Sequence, residues 1–172
     1  MLQKDYLKYY WLEDYLFNDV RRNFLKRESL NAAEFFCIVI WKANRAKTAI
    51  KRKLEKKGDL NEMVKKLTYE IFLAPDDSER LRIMLEKWGF ALPMASAVLT
   101  VLYPKRFSVY DVRVREELNI KDFARRKNQI KRYFAEFLPK VRKSAPGKSL
   151  RDKDRYIWAK SFYEGLLYFL KE

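Results

Sequence analysis

Histidine is absent and cysteine occurs once, as Cys37. Those two scarcities remove the commonest general base and most ligands for zinc, haem and iron–sulfur clusters. They also exclude Cys–His and Ser–His–Asp nucleophile systems. A single cysteine forms no internal disulfide, so the chain is expected to fold by its core alone, without cofactor or metal. Four glycines and five prolines leave few tight turns, which argues against a strand-rich fold. Long apolar runs are missing too. The longest uncharged stretch, Trp88 to Pro104, is shorter than the roughly 20 residues a spanning helix needs and is broken by Gly89 and Pro93. The opening Met1-Leu-Gln-Lys-Asp-Tyr6 is charged and lacks the apolar centre of a signal peptide, so a cytoplasmic location and no membrane partner are expected.

What the chain has in excess is positive charge. Its 172 residues carry 38 Lys and Arg against 23 Asp and Glu, a formal charge of +15. A polyanion is the first partner this suggests. With 48% hydrophobic and 16% aromatic residues, the chain is far from a disordered basic tail and is expected to form one globular domain over residues 1–172.

The apolar spacing is helical almost throughout, which predicts an all-α fold. A first helix is expected from Lys4 to Lys26, with Tyr6, Tyr9, Tyr10, Leu12, Leu16, Phe17 and Phe24 on its core face. Asn31-Ala-Ala-Glu34 reads as a capping box opening a second helix, bent or broken near Asn44 and ending before Gly58. Asp59-Leu-Asn-Glu62 opens a third that stops at Pro75, and a fourth covers Glu79 to Lys87. After Gly89-Phe-Ala-Leu-Pro-Met94, an apolar helix runs from Ala95 to Tyr103. Asp111 stands at an N-cap position before Val112–Leu118, a basic helix is expected from Asp122 to Val141, and Ser149-Leu-Arg-Asp152 caps a last helix reaching Leu170. Two basic clusters stand out: eight basic residues and one acid between Lys42 and Lys57, and ten and two between Lys121 and Lys148. Taken alone, each reads as a solvated helix face.

Lys87 to Pro104, followed by Ser108-Val-Tyr-Asp-Val-Arg-Val114, resembles the helix-hairpin-helix DNA glycosylase superfamily. In that family a hairpin of the form L-P-G-V-G-x-K-T-A precedes an apolar helix, a loop and a V-D-x-x-V segment with an essential aspartate. Gly89 aligns with the first hairpin glycine, Ala91 with the second, Pro93 with the lysine and Ala95 with the final alanine. Asp111 falls on the aspartate, eighteen positions after Pro93, the separation the family shows. The resemblance covers about Ser78 to Leu118. It implies a two-lobed helical fold, with residues 30–118 as a central lobe carrying the hairpin at 89–94, and residues 1–29 plus 119–172 as a second lobe formed by both termini.

The implied activity is excision of an altered or mispaired base from double-stranded DNA by a chain acting as a monomer. Pro93 replaces the lysine that forms a Schiff base in bifunctional members, so the resemblance favours a monofunctional enzyme that hydrolyses the N-glycosidic bond. The alternative is a non-catalytic helix-hairpin-helix DNA-binding protein. Asp111 is the candidate catalyst, since a carboxylate near C1′ stabilises the oxocarbenium character that develops there. It reads equally as a simple N-cap. Gly89, Ala91, Met94, Ala95, Ser96, Lys42, Arg45 and Arg113 are candidate DNA contacts. Trp41, Trp88, Tyr110 and Trp158 are candidates for a base-stacking pocket. Arg113 and Arg115, beside Asp111, are placed to lower its pKa, to contact phosphate or to form ordinary salt bridges.

Overall fold

A computed structural model describes residues 6–171, which are helical with turns and loops and contain no strand. The expected start of the first helix at Lys4 lies outside the described residues. The chain divides into two compact units, Met1–Trp88 and Gly89–Glu172. This division follows the order of the chain.

In the first unit, α1 (Leu7–Tyr10) and α2 (Leu12–Tyr15) are separated at Trp11, whose φ of −92° and ψ of 55° interrupt the helix. A π-turn over Leu16–Val20 then leads into α3 (Arg21–Arg27). Each interruption rotates the apolar face away from the 100° per residue spacing of an unbroken helix. As a result Leu16 and Phe24 are core while Tyr6, Tyr9 and Tyr10 are exposed, correcting the expectation that all these aromatics are buried.

Asn31 and Glu34 form a complete capping box at the start of α4 (Ala32–Ala43). A 3-10 turn at Asn44–Ala46 separates it from α5 (Lys47–Glu55), the expected break. The carboxylate of Asp59 caps α6 (Leu60–Leu73), and that of Asp76 caps α7 (Asp77–Arg82), which continues as a π-turn to Lys87. Each such cap stabilises its helix by about 1 kcal/mol. The Glu34 carboxylate also accepts hydrogen bonds from Asn23 and Arg27, so the second helix is tied to the first at a buried acid. Leu30 N–H donates to the buried Thr68 hydroxyl, tying the same corner to α6.

The second unit is arranged around α8 (Leu92–Leu102), of which every residue but Pro93 is buried. Around it stand α9 (Val112–Glu117), α10 (Gln129–Arg132), a π-turn at Tyr133–Phe137, α11 (Leu138–Ser144) and α12 (Leu150–Phe169). Pro139 lies two residues past the π-turn, and its missing N–H removes a bond from the regular ladder there. Helix formation before Gln129 fails because residues 122–125 satisfy their donors locally. The Asp122 carboxylate accepts from Ala124 N–H, Phe123 N–H donates to the Tyr110 hydroxyl, and Arg125 takes a left-handed φ of 70°. The basic helix expected from Asp122 therefore begins seven residues later. No helix among the described residues is long and apolar enough to cross a membrane.

Two glycines of this unit make opposite demands. Gly147, in the loop before α12, has a φ of +132°, and a Cβ there would lie 2.8 Å from Cβ of Asp152. Gly165 is inside α12, where a Cβ would meet only Arg113 Nη1 at an ordinary 3.9 Å. Gly147→Ala should therefore lower the melting temperature, at a cost of more than about 1 kcal/mol. Gly165→Ala should raise it, by about 0.5–1 kcal/mol of helix propensity. Thermal denaturation followed by circular dichroism compares the two directly.

Candidate nucleic-acid interface

Residues Phe107–Asp111 form no regular secondary structure, and Phe107–Tyr110 are buried inside the second unit. Buried peptide groups outside helices and sheets need other partners. Here side chains supply them. Ser108 N–H donates to the Tyr133 hydroxyl oxygen at 3.0 Å, and that hydroxyl donates back to the Ser108 carbonyl at 2.6 Å. Val109 N–H donates to Asp154 Oδ2 at 3.4 Å, and Tyr110 N–H to Ser96 Oγ at 2.9 Å. Asp154 is 2% exposed and takes a hydrogen bond from Arg151 at 2.7 Å. Burial pushes its carboxyl pKa up, while the Arg151 guanidinium and Val109 N–H pull it down.

Aromatic rings fill the space around the segment. Phe107 stacks on Tyr133, Tyr133 on Phe137, and Tyr110 meets Phe137 and Phe123 at centroid distances of 5.1 and 4.7 Å. The Tyr110 hydroxyl donates to Asp122 Oδ1 at 3.0 Å, and burial raises the Tyr110 pKa to about 12.

This braced segment ends at Asp111. Its Oδ1 accepts from Arg113 N–H at 3.0 Å and opens α9, so Asp111 is a helix cap in fact, and its side chain is half-buried. The Arg113 guanidinium lies over the rings of Trp158 and Phe162 on α12, at 5.6 and 5.4 Å. Arg115 donates to the Ile120 carbonyl and pairs with Glu116.

The expected hairpin residues separate into two sets. Gly89, with a φ of 65°, and Ala91 are exposed. The side chains of Met94, Ala95 and Ser96 are buried in α8, and the N–H groups of Met94 and Ala95 are spent on the Ala91 carbonyl. Ser96 is a brace for Tyr110 in place of a phosphate contact.

The base-stacking candidates separate as well. Tyr110 is 2% and Trp88 4% exposed, and the Trp88 indole N–H donates to Glu70 Oε2 at 2.8 Å. Both are core residues, which corrects the expectation that their rings stack on a base. Trp41 is half-buried against Phe17 in the first unit, near Lys42, also half-buried, and the exposed Arg45. Trp158, in the second unit, is 42% exposed and lies parallel to Phe162.

Of the second basic cluster, the first part lies on no helix. Lys121, Arg125, Arg126 and Lys127 are exposed on the loop before α10, and Lys131 follows at its first turn. The one acid among them, Asp122, is engaged by Ala124 N–H and Tyr110, and the Ala124 N–H holds its carboxyl below the usual range. The second unit contains 19 basic and nine acidic residues. Among the described residues, no group of three or more Cys, Asp or Glu side chains is placed to hold a metal ion. Comparison with protein-family models, with curated proteins and with solved structures gives no match for this chain.

Two residues that fix the interface escape the sequence reading. Asp154 has a signal in retrospect: it shares the 150, 154, 157 spacing of Leu150 and Ile157, so an acid falls on the apolar face of the last helix. Tyr133 has none, because a buried tyrosine in an aromatic-rich helix looks like any other core residue. Tyr133→Phe removes the partner of both peptide groups of Ser108 and leaves a buried donor and acceptor unsatisfied. It should cost about 1–3 kcal/mol in urea unfolding at unchanged slope.

Proposed function

We propose that the protein binds double-stranded DNA and acts as a monofunctional N-glycosylase with Asp111 as its carboxylate. The observation that carries this reading is the bracing of Phe107–Asp111. Three buried side chains fix the main chain that delivers Asp111, and a carboxylate held in place in advance stabilises developing positive charge without reorganising. The exposed cations of Lys121–Lys131 in the same unit supply sequence-independent attraction to phosphate.

In the proposed step, the bond between C1′ and the base nitrogen breaks and its electron pair leaves with the base. Positive charge on the sugar is stabilised by Asp111. A water oxygen adds to C1′, its proton passing to the carboxylate and on to solvent or the departing base. The product is a free base and an abasic site. Pro93 offers no amine for a Schiff base, so the strand is left intact.

A second reading, DNA binding without catalysis, is favoured by a specific observation: Asp111 already serves α9 as its cap. Asp111→Asn separates the two, because asparagine caps a helix as well as aspartate does and leaves the fold unchanged. Duplexes carrying a panel of altered and mispaired bases should yield alkali-dependent breaks with the wild-type protein. Asp111→Asn should reduce them about 100-fold or more while leaving duplex affinity nearly unchanged. Unchanged base release in the variant overturns the role of Asp111. Binding without release from any substrate by the wild-type protein leaves the second reading.

A further inference from the structure

Helix α12 has two faces. Leu150, Asp154 and Ile157 point into the second unit and are buried, and Ser161 continues that line half-buried. On the opposite side, Tyr156, Ala159, Tyr163, Leu166 and Leu170 recur at spacings of three, four, three and four residues, the alternation of a coiled-coil seam. All five are exposed; Tyr163 is 59%, Leu166 40% and Leu170 68% accessible. Leu167 and Phe169 widen the stripe, also exposed. Scattered surface leucines need no explanation, but a continuous seam of this length does.

The seam is presented by a well-anchored helix. Arg113 of α9 covers Trp158 and Phe162, and Lys160 is shared between Glu117 of α9 and Glu164. These contacts hold the turns around residues 158–164 while leaving the seam outward.

We infer that this face is the contact between two copies of the chain, packed seam to seam. The 3-4 spacing is the signature of a helix partner, since it sets about one knob per turn for a matching helix. A second copy supplies that matching helix with Tyr163 at the middle of both seams. The extent also fits. Aromatic side chains present roughly 150–250 Å² each, so Tyr156, Tyr163, Phe169 and the neighbouring leucines leave several hundred Å² uncovered. That is the scale of the about 800 Å² each partner contributes to a standard interface. The pairing departs from the monomer that the sequence alone suggests. It does not rest on the glycosylase reading, and its test contains no nucleic acid.

Light scattering on the full chain after size exclusion should give the mass of two 20.9 kDa chains. Leu166→Glu, on a side chain that folding does not bury, should give the mass of one chain with its helical circular dichroism retained. Tyr163→Cys in a Cys37→Ser background should form a disulfide-linked dimer on mild oxidation, and adding Leu166→Glu should prevent it. A wild-type protein that runs as one chain, with a Tyr163→Cys, Cys37→Ser variant that does not cross-link, overturns the inference. So does a Leu166→Glu variant that still runs as two chains. Binding of a one-chain wild-type protein to anionic lipid vesicles, lost in Leu166→Glu, also overturns it and assigns the face to a lipid surface.

Discussion

A buried, non-helical segment inside a helical unit sets the terms for the rest of the second half of this chain. Helices satisfy their own peptide groups, and strands satisfy one another's. Phe107–Asp111 does neither, so each of its inner N–H groups needs a side-chain acceptor at a fixed place. Ser96 comes from α8, Tyr133 from the π-turn before α11, and Asp154 from α12. Three helical elements are thereby joined to one buried segment of backbone. Arg151 and Val109 N–H counter part of the desolvation of Asp154, and burial remains the larger effect, so its carboxyl pKa stays raised.

That arrangement uses several of the sequence's functional candidates as structural parts. Ser96, Met94, Ala95 and Tyr110 are all consumed in building the segment and its surroundings. Asp111 is the first residue past the last brace, and the first whose side chain is only half-buried. The basic loop is linked to the same device. Tyr110 reaches past Phe123 to Asp122, and by engaging that carboxylate it ties down the only acid among the exposed cations of Lys121–Lys131.

The helices were legible in the sequence wherever a capping residue preceded an unbroken apolar period. Asn31, Asp59, Asp111 and Ser149 each cap the helix they announce. The reading failed where local side-chain chemistry overrode the period. Trp11 and the π-turn at Leu16–Val20 rotate the face of the first helical stretch, and Asp122 and Arg125 delay the start of α10. Of the candidate site, Asp111 and the basic character of residues 121–131 were legible as residue types. Their bracing was not, because Tyr133–Ser108 and Asp154–Val109 join positions 25 and 45 residues apart, and no local spacing encodes such a pair. The aromatic candidates failed for a related reason. Composition shows that large rings are present, while burial is decided by long-range packing, which places Trp88 and Tyr110 inside and Trp158 outside.

Helix α12 connects the braced segment to the molecular surface. Its inner line carries Asp154, which holds Val109, and its flank meets Arg113 and Glu117 of the helix that Asp111 caps. A shift of α12 along its own axis would move the acceptor of Val109 and both α9 contacts together. Such a shift is opposed by burial of Leu150, Asp154 and Ile157 and by the Lys153 ammonium, which donates to the Arg142 carbonyl, all within the first two turns and a half of the helix. Its last two turns have no comparable anchor on their outer side. A helix partner on the Tyr163 seam would complete the restraint at the end where the unit itself provides least, so ordering of that face and precision at Asp111 are physically the same problem, approached from the two ends of one helix.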